Sequence, residues 1–372
     1  MLRSDKPTST MVKIIGWSAI TLLCFLALFG SVLFHHSEPE RGAVEMLLAS
    51  SDEGFDQVTP DKALVFPDDY GVHARFRQEW WYITANLSDK NGQQYGVQWT
   101  LFRSAMSPER KEGWNDNHIY MAHFVVTSAN ETYSAERFAR SGIGQAGVTL
   151  SPFEAWIDNW SWSSKGDLPF PAILTAQHQN VGIDLNMTAN NPEILQGQQG
   201  YSQKHASENV ASYYFSVPRI EMSGTLTIDG QTIDVSGLGW MDREWSTKAL
   251  SDDQRGWDWF SLQLNDGRSL MLAQVRSEAG PHRFGALINE DGTSRTLTSE
   301  EITMMPTSFS KMGEGRYIPT QWQVSVASED IALTTEPLNH DNWLPFMFPY
   351  WEGPIQFEGS HSGVGFMEAT GY

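Results

Sequence analysis

WWYITANLSD, Trp80 to Asp89, set beside WDWFSLQLND, Trp257 to Asp266, decides the fold. With Leu87 against Leu264, Trp80, Tyr82, Thr84 and Asn86 fall on Trp257, Trp259, Ser261 and Gln263, while Ile83, Ala85 and Leu87 fall on Phe260, Leu262 and Leu264. Successive side chains of a strand point to opposite sides, so one face of each segment is aromatic with polar tips and the other is apolar. Each copy then passes a glycine and returns on an apolar segment ending in arginine, YGVQWTLFR to Arg103 and SLMLAQVR to Arg276. Strand period, facing and turn chemistry recur together. This repeat predicts two related β-domains.

The same texture runs from Phe66 onward. YMAHFVVTS, GVTLS, VGIDLNMTA, SGTLTIDGQTIDVSG, QWQVSVAS and DIALTTE are short segments rich in β-branched and aromatic residues, separated by Gly, Asn and Asp turns. Many short strands at near-regular spacing predict an all-β fold of antiparallel barrels or sandwiches, not a parallel α/β sheet. LTIDGQTIDV, Leu226 to Val235, has an Asp-Gly turn between alternating segments and predicts a hairpin. VPRIEMSG, Val217 to Gly224, is the expected domain boundary, giving domains over 61–220 and 221–372. The terminal GSHSGVGFMEATGY predicts a glycine-rich turn and a short strand closing a barrel.

Residues 14–34, IIGWSAITLLCFLALFGSVLF, form an uncharged apolar run preceded by Arg3, Lys6 and Lys13. Its length suits a bilayer-crossing helix, and the preceding charges keep the N-terminus cytoplasmic. A retained inner-membrane anchor over 1–35 is expected, with a cleaved signal peptide as the alternative. Residues 36–60 then read as a stalk, and the domains as exported to the periplasmic side. Cys24, inside the apolar run, is the only cysteine, so no disulfide or thiol nucleophile is available beyond it. The net charge is −20, which disfavours nucleic acid and favours neutral or cationic partners; plain solubility is the alternative reading.

Six ordered motifs resemble a known group: FPDDYGVHARFRQEWWYITANL, the AHF at Ala122 to Phe124, LQGQQGYSQK ending at Lys204, GWMDREW at Gly239 to Trp245, QRGWDWFSLQLNDGR and GVGFMEATGY. Over roughly residues 60–372 the chain is similar to the AttH-like and carotenoid 1,2-hydratase (hydroxyneurosporene synthase) superfamily. The resemblance implies two lipocalin-like β-barrel domains packed together, export, and, in the AttH-like branch, association with ABC-type transporter systems. In the hydratase branch it implies acid-catalysed addition of water to an isoprenoid double bond by a His, an Asp, a Tyr and a Trp. Asp242 and Trp245 match the D-x-x-W part, whereas Arg243 stands where a His is common and LMLAQVR offers neither Tyr nor Asp.

Asp242 and Glu244 lie two apart, so on a strand they share a side and Arg243 takes the other. Two such carboxylates suit division into an acid and an ionised partner; pairing of one with an arginine across the domain interface is the structural alternative. Asp258 occupies the slot of Trp81 and is expected as a lone, desolvated acid at the mouth of an apolar cavity, or as a strand-entry hydrogen-bond acceptor. Glu79, Trp80, Tyr82, His73, His123, Lys204, Arg243, Trp245, Trp257 and Trp259 are expected to line a ligand cavity or the interdomain surface. Neither His73 nor His123 belongs to an HxH or HExxH arrangement, and no G-x-S-x-G elbow or phosphate loop is present, so neither metal nor cofactor is expected. Fifteen tryptophans either line an apolar cavity or fill the two barrels and their seam. The expected function is binding or hand-over of a hydrophobic small molecule, in partnership with a transporter system. The alternative is a hydratase, isomerase or hydrolase acting on a lipophilic substrate, with Asp242, Glu244 or Asp258 as the acid.

Overall fold

The computed structural model describes residues 52–372; the expected anchor and residues 36–51 of the expected stalk lie outside them. The first sheet has thirteen strands: β1 (Gln78–Asp89), β2 (Gln94–Ala105), β3 (His118–Ser128), β4 (Thr132–Arg140), β5 (Ala146–Leu150), β6 (Phe153–Ile157), β7 (Trp160–Ser164), β8 (Ala172–His178), β9 (Val181–Thr188), β10 (Ile194–Leu195), β11 (Tyr201–Gln203), β12 (Ala211–Ile228) and β13 (Gln231–Ser246). The second has ten: β14 (Gln254–Leu264), β15 (Ser269–Ser277), β16 (His282–Ile288), β17 (Ser294–Leu297), β18 (Ile302–Lys311), β19 (Tyr317–Val326), β20 (Ile331–Pro337), β21 (Trp343–Leu344), β22 (Tyr350–Gly359) and β23 (Gly363–Thr370). The first sheet runs β4-β3-β2-β1-β13-β12-β9-β8-β7-β6-β5 and curls into a nearly closed barrel; the second runs β17-β16-β15-β14-β23-β22-β20-β19-β18 as a half-barrel. The all-β, lipocalin-like expectation is met.

Alternation along the strands divides the core as the repeat requires. Trp81, Ile83, Ala85 and Leu87 join the buried interior of the first barrel, together with Trp99, Trp160 and Trp162. Phe260, Leu262 and Leu264 join that of the second sheet. The opposite faces, led by Tyr82 and Trp259, pack together in a third buried cluster where the sheets meet. The first barrel's interior therefore holds packed indoles, and the polar-tipped aromatics belong to the seam. Asp229 and Gly230, both at positive φ, turn β12 into β13 with Ile228 opposite Gln231, as the Asp-Gly pair predicts.

The domain boundary is corrected. β12 runs through Val217–Gly224, and the sheets change between Ser246 and Gln254. The Pro218-Arg219 step that reads as a break is a register shift between Val217 and Ile220, with Arg219 at φ 56°. A bulge of this kind bends a strand without ending it.

The repeat also extends further than the first pair of strands. Gly237-Leu238-Gly239-Trp240-Met241-Asp242 in β13 corresponds to Gly363-Val364-Gly365-Phe366-Met367-Glu368 in β23. Leu87 lies opposite Gly237 and Leu264 opposite Gly363, so the registers agree. A Cβ on Gly237 or Gly363 would run into the carbonyl oxygen of Asn86 or Gln263 respectively. Those same two residues reach across the seam: Asn86 Nδ2 donates to the Gly365 carbonyl at 3.0 Å, and Gln263 Nε2 to the Gly239 carbonyl at 2.8 Å.

Candidate functional site: an acidic seam between the sheets

Asp242 lies opposite Tyr82 on β1 and Ser216 on β12, with its side chain in the seam. It is 4% exposed. Its carboxyl accepts hydrogen bonds from Tyr214 Oη at 2.8 Å, Ser216 Oγ at 2.5 Å and Trp240 Nε1 at 2.7 Å. Tyr214 Oη accepts in turn from Trp259 Nε1 at 3.2 Å. Burial pushes Asp242 up to about 7, against these three donors and with Glu244 adding to the rise.

Glu244 shares that side, as the two-residue spacing predicts, and pairs with Lys204 Nζ at 2.9 Å. Its partner is thus a lysine, which also lies over the Tyr214 and Phe284 rings. In the second sheet Glu368 lies opposite Trp259 on β14 and Glu352 on β22. Trp257 Nε1 donates to Glu368 at 3.1 Å. Tyr82 Oη crosses from the first sheet to donate to Glu352 at 2.5 Å. Burial raises Glu368 to about 8 despite the Trp257 donor, with Asp242 and Glu244 reinforcing it; burial and the facing Glu368 also hold Glu352 well above the ordinary carboxylate range. Solvent reaches one end of this cluster, since Trp80, Lys204, Trp257, Phe284 and Glu368 remain partly exposed.

Glu79 stands elsewhere, on the barrel side of β1, fully buried with Arg103 and Arg243. Arg103 Nε and Arg243 Nη2 each donate to its carboxylate, and the His73 backbone N–H adds bonds of 3.1 and 3.2 Å. Burial alone would raise its pKa, but Arg103, Arg243 and His73 overcome this and hold it well below the usual range. His73 bridges to Asp69 at 2.8 Å and stacks on Trp245, while Arg243 lies 3.9 Å from the centroid of Trp81. The carboxylates and guanidinium groups of this knot pair with one another, although Arg103 Nη1 and Arg243 Nε have no hydrogen-bond partner among the described residues, and the result is a structural clamp. Trp245 and Asp242 consequently face opposite sides of β13, so the D-x-x-W pair is not one constellation.

Of the two expectations for Asp258, the lone acid is corrected, because the residue is a strand-entry hydrogen-bond acceptor with a cationic neighbour. Arg276 Nη1 lies 2.7 Å away, and Tyr372 Oη and Gln274 Nε2 donate at 2.7 and 2.8 Å. In the first sheet Glu79 lies opposite Arg103; in the second, Gly256 lies opposite Arg276. A Cβ at Gly256 would meet the Thr370 carbonyl and Arg276 itself, so the counter-ion has moved two residues along the strand to Asp258.

His123 occupies another part of the seam, linked to Tyr350 Oη at 2.8 Å and Glu136 at 3.1 Å, and burial lowers its pKa against the pull of Glu136. Among the described residues, His205, Glu208 and Asp253 bring ligand-type atoms together. His205 Nδ1 accepts the Glu208 backbone N–H at 2.8 Å, which leaves Nε2 protonated toward Asp253 and unsuited to a metal ion.

The fold thus brings Asp242, Glu244, Lys204, Trp80, Tyr82, Trp257 and Trp259 together and separates them from Glu79, His73, Arg243, Trp245 and Asp258. Tyr214, Ser216, Glu352 and Glu368 escaped sequence reasoning. A signal for the last was present: G-x-G-x-M followed by an acid occurs once in each copy.

The comparisons agree with this architecture. The AttH-like family profile matches residues 57–372. A solved structure described as an AttH from Nitrosomonas europaea is 30% identical, with a TM-score of 0.77, covering 86% of this chain and 99% of its own. Kievitone hydratase from Nectria haematococca is 16% identical, with a TM-score of 0.62, covering 85% of this chain and 98% of its own, a likeness of fold. No curated protein sequence matches the chain. Since the profile takes in both sheets and the seam between them, this chain belongs to the AttH-like family.

Proposed function

We propose that the seam is an acid–base site for a lipophilic small molecule, adding water to, or shifting, a carbon–carbon double bond. The observation that carries this reading is Asp242, buried among Tyr214, Ser216 and Trp240 and poised near neutrality. A group with a pKa near the working pH is partly protonated and partly ionised, so it can both give and take a proton. In a hydration a carboxyl O–H breaks as a C–H bond forms, water bonds to the neighbouring carbon, and a carboxylate takes the proton that this water loses. The surrounding indoles stabilise the intervening positive charge. That a protein of the same fold is a hydratase supports the reaction class, and the substrate here is named only as an unsaturated, lipophilic compound. Incubation of the purified protein with unsaturated isoprenoids and prenylated aromatics in ¹⁸O-labelled water tests it. Labelled alcohol is expected, with turnover reduced about 10² to 10⁴-fold in Asp242→Asn; unchanged turnover in that variant would sink the assignment.

A second reading, binding and hand-over in an export pathway beside a transporter, draws on a different feature. Phe66, Tyr70, Phe170 and Val217, with Glu193, line a pocket of about 330 Å³ in the first domain. Native mass spectrometry of protein purified from its host separates the readings. A lipophile co-purifying and released unchanged favours carriage.

A further inference from the structure

Glu352 and Glu368 face each other directly across β22 and β23, where opposed side chains have Cβ atoms roughly 4.5–5.5 Å apart. Two carboxylates in that position, one buried and one partly exposed, repel, and among the described residues nothing cationic is paired with either of them. Glu352 is 2% exposed and, among the described residues, has one donor, Tyr82, while its other oxygen, Oε2, has no partner. Glu368 has one donor, Trp257. Asp242 differs, since Trp240 Nε1, which can only donate, and Tyr214, whose oxygen is engaged by Trp259, both direct hydrogens to it.

We propose that Glu352 and Glu368 share a single proton and form the acid of the seam, while Asp242 is its base. This assignment rests on the acid–base reading above and gives its two proton transfers separate owners. The pair breaks one O–H bond as the substrate C–H bond forms and is left doubly ionised. Water bonds to the adjacent carbon and its proton passes to Asp242. Return of that proton to the partly exposed Glu368 through solvent restores the starting state, with water added and no other reagent consumed. The groups around the pair are Tyr82, Asp242 and Glu244 from the first sheet, with Lys204 bound to Glu244, and Tyr350 and Asp258 from the second. The lysine is already paired and leaves the dyad without a counter-charge of its own.

Infrared difference spectra of the full chain labelled with ¹³C-glutamate test the pair directly. One protonated glutamate carboxyl is expected at neutral pH, titrating near pH 8. It should persist in Asp242→Asn, move to lower pH in Glu352→Gln, where the like charge is gone, and move to higher pH in Tyr82→Phe, where the donor to Glu352 is gone. Turnover should fall at least about 10²-fold in Glu368→Gln. Two fully ionised glutamates at neutral pH, or Glu352→Gln with an unmoved titration, would overturn the proposal, and Tyr82→Phe supplies the readout if Glu352→Gln does not fold. If the shared proton is present but Asp242→Asn retains full turnover, the base assignment fails while the proton-sharing pair stands. Full turnover in Glu368→Gln overturns the pair as acid.

Discussion

At the scale of single residues, the carboxylates divide by what stands beside them. Glu79 has two arginines and a backbone N–H, and removing its charge in Glu79→Gln leaves buried guanidinium groups uncompensated. A loss of about 3–5 kcal/mol is expected, read as a drop in the urea midpoint at constant slope. Asp242 behaves in the opposite sense. Its folded pKa lies above its unfolded one, so the native state holds more protons between about pH 4 and about pH 7, and this group's contribution to stability falls as pH rises through that window. Asp242→Asn removes the penalty. The difference in melting temperature, variant minus wild type, should therefore become more positive from pH 5 to pH 8; a flat difference would show that Asp242 titrates normally. Neither environment is visible in MDREW itself, because Asp242 takes its hydrogen bonds from Tyr214 and Ser216 on β12 and from Trp240 just before that stretch, and Arg243 finds its partners among residues 71 to 80.

At the scale of elements, the strand pair β1–β14 was legible because both copies keep the period of two and the aromatic face. The pair β13–β23 was harder to see, since only its glycines, its methionine and one acidic slot recur, while Trp240 becomes Phe366 and Arg243 becomes Ala369. The glycines recur because strand backbones approach too closely for a side chain. Gly365→Ala would drive a Cβ into the Ser261 carbonyl, and a cost of about 1–3 kcal/mol is expected from the forced backbone shift, measurable by thermal unfolding. The misplaced domain boundary has the same kind of origin. Pro218 looks like punctuation in one dimension, and only the pairing of β12 with β13 on both sides of it shows a continuous strand crossing it.

At the scale of the whole molecule, the seam carries both cohesion and the proposed chemistry. Tyr82, Tyr214, Trp240, Trp259 and Phe366 are buried there, so neither sheet has a complete surface without the other. Heating should give one cooperative transition, coincident in tryptophan fluorescence and far-ultraviolet circular dichroism; two separated transitions would show that the sheets unfold independently. The reciprocal bonds from Asn86 and Gln263 hold the two copies through backbone carbonyls that no side-chain change removes. The same backbone slot, opposite the acid on the outer neighbouring strand, carries Ser216 in one sheet and Glu352 in the other. Duplication thus supplied the protein with two interchangeable sockets on a common frame. Under the proposed chemistry, new substrate preferences can arise by exchanging the polar groups seated in them, with the frame left as it is.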